Sequence, residues 1–224
     1  MAPNLDQEIN SLLAGYAMGG LPAPLSVLVA AHLELSPRNR RFVSDMESLA
    51  GRAIETVEPA AVRDRDAKLA AIFGDAPSPA ASAVETASAS RRIQLPRTGR
   101  LPLAIRRFVG NDAANLPWKT VLPGVREYKI GEFDGLKTEL FWIRAGTAMP
   151  AHTHEGGEIT LVCEGGFTDI LGSYDRGDIS ITDSSVDHKP VADDDGDCIC
   201  FAVTDAPLRL TGFFGRLFNP FIRG

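Results

Sequence analysis

The sequence predicts an α plus all-β chain of two domains: a small N-terminal helical bundle over residues 1–74, a flexible linker over 75–98 and a C-terminal β-barrel over 99–224. Three observations carry this division. Apolar residues recur at spacings of three and four as far as Phe73, the period of an amphipathic helix. A stretch rich in Ala, Ser and Pro follows, with few bulky apolar groups to offset the cost of ordering it. From about residue 99, short apolar or alternating runs are separated by Gly, Asp and Pro, as in a sandwich or barrel.

In the first region, Ile9, Leu12, Leu13, Tyr16 and Ala17 mark one face of a first helix that ends at Gly19-Gly20. Pro22 to Pro24 separate it from a second apolar stretch, Leu25 to Leu35. Ser36-Pro37 reads as the start of a third helix, with Ser36 as the cap and Pro37 at the first helical position. Phe42, Val43, Met46, Leu49, Ala50, Ala53, Ile54 and Val57 line one face of that helix, and Pro59 closes it. A fourth helix is expected from Ala60 to Phe73. In the β region the expected strands are Leu140 to Arg144, Ile159 to Cys163, Asp178 to Thr182, Cys198 to Val203 and Leu208 to Phe213.

The totals exclude several classes. A 224-residue chain with 44% hydrophobic and 23% charged residues has the composition of an ordinary globular protein. No apolar run approaches the ~18 residues of a membrane span, and the N-terminal Met1-Ala-Pro-Asn lacks a signal peptide's basic start and apolar core. A cytoplasmic protein is expected. With a net charge of −6, direct nucleic-acid binding is not expected; the Arg38/Arg40/Arg41 and Arg106/Arg107 groups read as solvated faces. The three cysteines form no CxxC pair and no disulfide framework, which fits a reducing compartment. Cys163, Cys198 and Cys200 read first as small core residues and second as candidate redox groups.

The chemistry is concentrated in Gly146-Thr-Ala-Met-Pro-Ala-His152-Thr-His154-Glu-Gly-Gly-Glu158. Residues two apart on a strand share a face, so His152 and His154 project together and Glu158 keeps the even spacing. His188 follows a Gly177-Asp178 turn. Three imidazoles and one carboxylate suit a divalent metal: zinc foremost, with iron, manganese or nickel as alternatives. No separate catalytic residue stands out.

From Gly146 to Gly165 the stretch matches the first cupin signature, G-x5-H-x-H-x3-E-x6-G, at every fixed position. The second, G-x5-P-x-G-x2-H-x3-N, is half kept: Gly177 and His188 stand in place, while Asp183, Ser185 and Ala192 replace its proline, second glycine and asparagine. The resemblance implies a double-stranded β-helix barrel holding one metal on His152, His154, Glu158 and His188.

The order of helical module, linker and cupin resembles the ChrR-type anti-sigma factors. The residues that carry this are Leu12-Leu-Ala-Gly-Tyr-Ala-Met-Gly19, Val29-Ala-Ala-His-Leu-Glu-Leu35, the cupin motif, and Cys198-Ile-Cys-Phe-Ala-Val-Thr-Asp-Ala-Pro-Leu-Arg-Leu-Thr-Gly212. The resemblance implies helices that sequester an extracytoplasmic-function (ECF) sigma factor and a cupin that responds to singlet oxygen or related oxidants. The family's helical zinc site, an early histidine plus H-x3-C-x2-C, is broken here. His32 remains, Ser36 and Asn39 replace the cysteines, and no histidine stands near Asp6-Gln7. A zinc-free helical module is therefore expected. The competing functions are an iron-dependent cupin dioxygenase acting on small diketones or thiols, and a ligand-binding regulatory cupin without a sigma partner. The apolar Phe213 to Ile222 run reads as core packing or a homodimer contact.

Overall fold

The computed structural model describes residues 5–74 and 99–211. The expected linker and the apolar 213–222 run, with any dimer contact it makes, lie outside the described residues.

Four helices form the first region: α1 (Leu5–Ala17), α2 (Ala23–Leu35), α3 (Arg40–Glu55) and α4 (Arg65–Gly74). Pro24 sits in the first turn of α2, where a missing N–H costs nothing. α2 is apolar around most of its circumference, and Leu28, Val29, Ala31 and His32 are buried. Ser36 does not cap α3. It ends α2, its amide donating to the His32 carbonyl at 2.7 Å. Pro37 to Arg40 form a turn, and α3 begins at Arg40, three residues later than the Ser-Pro signal suggests. The Arg40 guanidinium turns back to donate to the Leu33 and Glu34 carbonyls at 2.6 and 2.8 Å, covering the carboxyl end of α2. α4 also starts later than expected, at Arg65 rather than Ala60.

The second region opens with a helix the β-type pattern does not reveal, α5 (Leu103–Val109), followed by a 3-10 turn at Ala113–Asn115. Arg106, on α5, is buried rather than part of a solvated basic face. Among the described residues eleven strands follow: β1 (Lys119–Leu122), β2 (Val125–Phe133), β3 (Leu136–Ile143), β4 (His152–His154), β5 (Glu158–Glu164), β6 (Gly166–Thr168), β7 (Ser173–Asp175), β8 (Ile179–Thr182), β9 (Val191–Ala192), β10 (Cys198–Thr204) and β11 (Leu208–Leu210). They make a six-stranded sheet in the order β1-β2-β3-β10-β5-β8, a three-stranded sheet β7-β6-β9, and the pair β11-β4. Every pairing between them is antiparallel.

Alternation on β10 divides the core. Ile199, Phe201 and Val203 face a cluster that contains Leu13, Leu28 and Val29 of the helices, so α1 and α2 share one apolar core with the outer face of the large sheet. Cys198 and Cys200 face the barrel interior with Val162, Ile143 and Phe167. The contact between the two regions is also polar. The Glu34 carboxylate accepts from the Leu103 and Ala104 amides at 2.7 and 2.8 Å, at the start of α5. Among the described residues no helix is long and apolar enough to cross a membrane.

Candidate metal centre

The expected histidines meet. His152 and His154 point inward from β4, which β11 holds through the register Leu208↔His154 and Leu210↔His152. His188 lies opposite His152, with reciprocal backbone bonds of 3.0 and 2.9 Å. All three rings are at least 95% buried (relative exposures 4%, 1% and 5%), and one ligand atom from each lies within 4.8 Å of the others. Gly165, the last fixed glycine of the first motif, has φ +65, and a Cβ there would run into the Asp197 carbonyl. Where the second motif lacks its proline and glycine, Asp183 Oδ1 accepts from the Ser185 amide and hydroxyl at 2.8 and 2.6 Å. That side-chain turn leads the strand back towards His188.

The ring nitrogens have assignable roles. His152 Nδ1 donates to the Pro150 carbonyl at 2.7 Å, so its Nε2 carries a lone pair. His188 Nδ1 donates to the Asp169 carboxylate at 2.8 Å, so its Nε2 does too. The Nε2 atoms of His154 and His188 are 3.4 Å apart. Two nitrogens each ~2.05 Å from one tetrahedral ion lie about 3.4 Å apart. His154 Nδ1 is buried without a hydrogen-bond partner. A proton on His154 Nδ1 leaves three lone pairs converging, while a proton on Nε2 leaves a buried lone pair with no donor. A divalent cation removes the first conflict, and the residues present fit one.

Burial pushes His152 and His154 down to about 4, with His188 adding to the same shift, so both are neutral at physiological pH, the form a metal takes. Glu158 lines the same cavity but stands apart from the three-histidine cluster. Its Oε1 accepts from Thr160 at 3.0 Å, and its Oε2 is 3.8 Å from His154 Nδ1. Burial pushes its carboxyl up, towards the neutral acid. The cavity is about 60 Å³, walled also by Thr160, Ser180 and Cys200. That is room for an ion and a water or two, against the ~300 Å³ or more of an ordinary small-molecule pocket.

Asp169, which the sequence does not single out, has a fully covered carboxylate. Burial works against its ionised form, but bonds from His188 and from the Leu171 and Gly172 amides outweigh this and hold it below the usual range. It fixes the tautomer and the aim of His188. The cysteines fall in two places. Cys163 lies in the core shared with the helices, where burial pushes its thiol far up. Cys198 and Cys200, on one face of β10, bring their sulfurs to 3.4 Å, and this contact together with burial raises the Cys200 thiol. Their Cα atoms, two residues apart on a strand at ~6.6 Å, stand near the upper limit for a disulfide.

The other histidine engages both ring nitrogens elsewhere. His32 Nδ1 is 2.7 Å from the Gly177 carbonyl and Nε2 is 2.9 Å from Asn39 Nδ2.

The ChrR cupin-like domain family matches residues 107–207. The anti-sigma-E factor ChrR of Cereibacter sphaeroides is 34% identical over 219 residues, 96% of this chain and 96% of that protein. The chain belongs to the ChrR family of anti-sigma factors. In the solved structures, the fold is similar to the crystal structure of Rhodobacter sphaeroides SigE in complex with the anti-sigma ChrR. That match has 31% identity and a TM-score of 0.70, over 88% of this chain and 96% of the other. A helical first region followed by a cupin barrel is thus a family arrangement.

Proposed function

We propose that this chain is a cytoplasmic anti-sigma factor that holds an ECF sigma factor away from RNA polymerase and responds to oxidative stress, singlet oxygen or a related oxidant, through its cupin metal site. One observation carries the gripping role. α3 is strongly amphipathic, yet only Val43 of its residues is buried. Leu49 and Ile54 of α3, Val57 beyond it, and Ile72 and Phe73 of α4 are 52% to 74% exposed. Among the described residues nothing covers these large apolar side chains, and an open apolar helix face of this kind marks a helix-binding surface. The relative in the solved complex is an anti-sigma factor bound to SigE, which supports a sigma factor as the occupant. The test is a titration of the full chain with an ECF sigma factor of its own organism: saturable 1:1 binding supports the reading, and its absence refutes it.

For the sensing role, His152, His154 and His188 would hold one divalent ion through Nε2, zinc foremost, with Glu158 as the fourth ligand. When bound, the ion supplies a Lewis-acidic positive charge in a water-poor cavity. The chain's own residues do the rest. Asp169 keeps His188 aimed, Pro150 keeps His152 in the right tautomer, and the barrel wall limits access. Cys198 and Cys200, with Cys200 on that wall, are the thiols best placed to be oxidised as a pair. A regulator is favoured over a dioxygenase because the cavity of about 60 Å³ leaves little space for an organic substrate beside an ion. A zinc-free helical module is favoured because both ring nitrogens of His32 are already hydrogen-bonded. Elemental analysis tests the metal assignment and the zinc-free module: one metal per chain, lost in His152→Ala, is expected, and two zinc ions per chain would be incompatible.

A further inference from the structure

We propose that His32 is a positioning residue that couples the partner-binding helices to the metal-bearing barrel, its imidazole bolting the α2–α3 junction to the turn between β7 and β8. This rests on the two-part reading above, helices that grip and a barrel that senses, and says how one part reaches the other.

The bolt has two ends. Towards the barrel, the Gly177 carbonyl can only accept, so His32 Nδ1 carries the proton and donates to it at 2.7 Å. The ring is then neutral, and Nε2 is left to accept from Asn39 Nδ2 at 2.9 Å. Asn39 immediately precedes α3, the helix that packs Phe42 and Val43 on the core and leaves Leu49 and Ile54 exposed. One buried side chain therefore touches the start of the gripping helix and the backbone of the barrel. Close approach is built in: Gly177 has φ +98, and a Cβ on it would lie 3.1 Å from Leu35 Cβ, so a side chain there would push α2 away.

The turn that His32 grips is not free to move alone. The Gly177 amide donates to the Val162 carbonyl at 2.8 Å, and the Val162 amide donates to the Asp178 carbonyl at 3.1 Å. Arg176 Nε donates to the Cys163 carbonyl at 3.0 Å. The turn is thus tied to β5 and runs directly into β8. Those two strands pair along Glu158↔Thr182 and Thr160↔Ser180, and Glu158, Thr160 and Ser180 wall the metal cavity. β5 and β8 therefore span the distance from cavity wall to bolt, each hydrogen-bonded to the other. A shift of either strand at the cavity is delivered at Gly177. By linkage, a change in the set of α2 and α3 is returned to the cavity with the same coupling free energy.

The experiment is hydrogen–deuterium exchange on the full chain, metal-free and loaded with zinc alone, in the wild type, His32→Leu and His32→Gln. Zinc stoichiometry is measured on the same samples, and sigma-factor binding in a separate titration. Zinc loading is expected to change amide exchange in α2 and the first turn of α3 by about tenfold in the wild type, within the usual range of coupling between sites. In His32→Leu, which keeps the bulk and loses both hydrogen bonds, the response should fall below about twofold with zinc stoichiometry unchanged; a smaller change is too weak to count as coupling. His32→Gln, which can donate and accept, should restore part of it. If His32→Leu fails to fold, Asn39→Ala cuts the α3 end alone and should abolish the response there. A wild type that binds one zinc and leaves α2 and α3 unchanged overturns the coupling. So does a leucine variant that responds like the wild type. Failure to take up zinc overturns the sensing reading and the coupling together, and failure to bind a sigma factor overturns the gripping reading without touching the exchange result.

Discussion

α2 and α3 are consecutive helices of similar length, and they meet opposite fates. α2 is apolar nearly all round, and the chain covers it: Leu28, Val29 and Ala31 are fully buried against α5 and the large sheet. α3 has a sharply divided surface, and its apolar half lies open from Leu49 to Ile54. A helix that is hydrophobic all round belongs inside a structure, and an amphipathic one needs a single partner face. In this chain the first requirement is met in cis. Among the described residues the second is left open.

The difference can be broken first at α2. Leu28→Ala removes a fully buried side chain from a core that helices and barrel share. It is expected to cost about 2–5 kcal/mol of stability, read as a lower midpoint in chemical denaturation. Leu49→Ala on α3, at 52% exposure, should change stability by no more than about 0.5 kcal/mol. Equal losses at the two positions would erase the distinction.

The candidate metal site sharpens the comparison, because its three histidines are buried as α2 is. Asp169→Ala leaves His188 in place but frees its Nδ1. Zinc affinity is expected to fall about 10- to 100-fold, measured by competition with a chelator, with sigma-factor affinity unchanged in metal-free protein. Asp169→Asn should recover part of the loss.

Protons should act on the same site. In the metal-free chain His152 and His154 are held at about 4, below their ordinary 6.5. Groups with a lowered folded value stabilise the fold fully above about 6.5 and lose that contribution as pH falls towards 4. His32 is shifted in the same direction by burial, whereas Glu158 is shifted upward and partly offsets the loss. The thermal midpoint of metal-free protein should therefore decline between pH 6.5 and 4. In His152→Ala the decline should be shallower; an unchanged slope would show that these rings are not buried neutral.

The smallest effect is expected at the surface of α3. The Arg41–Asp45 pair, 3.9 Å apart and largely exposed, is worth at most a few tenths of a kcal/mol. Arg41→Ala should leave the denaturation midpoint within error.

What could be read from residue order follows the range of each interaction. The shared face of His152 and His154 was legible because strand geometry acts over two residues; Glu158 falls on the next strand, β5, so the even spacing does not carry over to it. The long runs of β5 and β10 were legible for the same reason. Ser36 misled because its sequence neighbourhood is that of a cap. The outcome was decided by Arg40 reaching back to the Leu33 and Glu34 carbonyls, which places a turn where a helix start was expected. α5 escaped notice because seven residues carry too few periods to stand out from a buried strand. Asp169 lies nineteen residues before its partner His188, and His32 lies 145 before Gly177. No local pattern encodes such contacts; the closure of the barrel and the docking of α2 on it create them.

The most direct test is a hydrogen-exchange footprint of the full chain with and without its ECF sigma factor. The account predicts protection concentrated on residues 49–57 of α3 and its extension and on residues 69–73 of α4, with the buried face of α2 unchanged. Protection on the barrel with α3 and α4 left exchanging freely would contradict it.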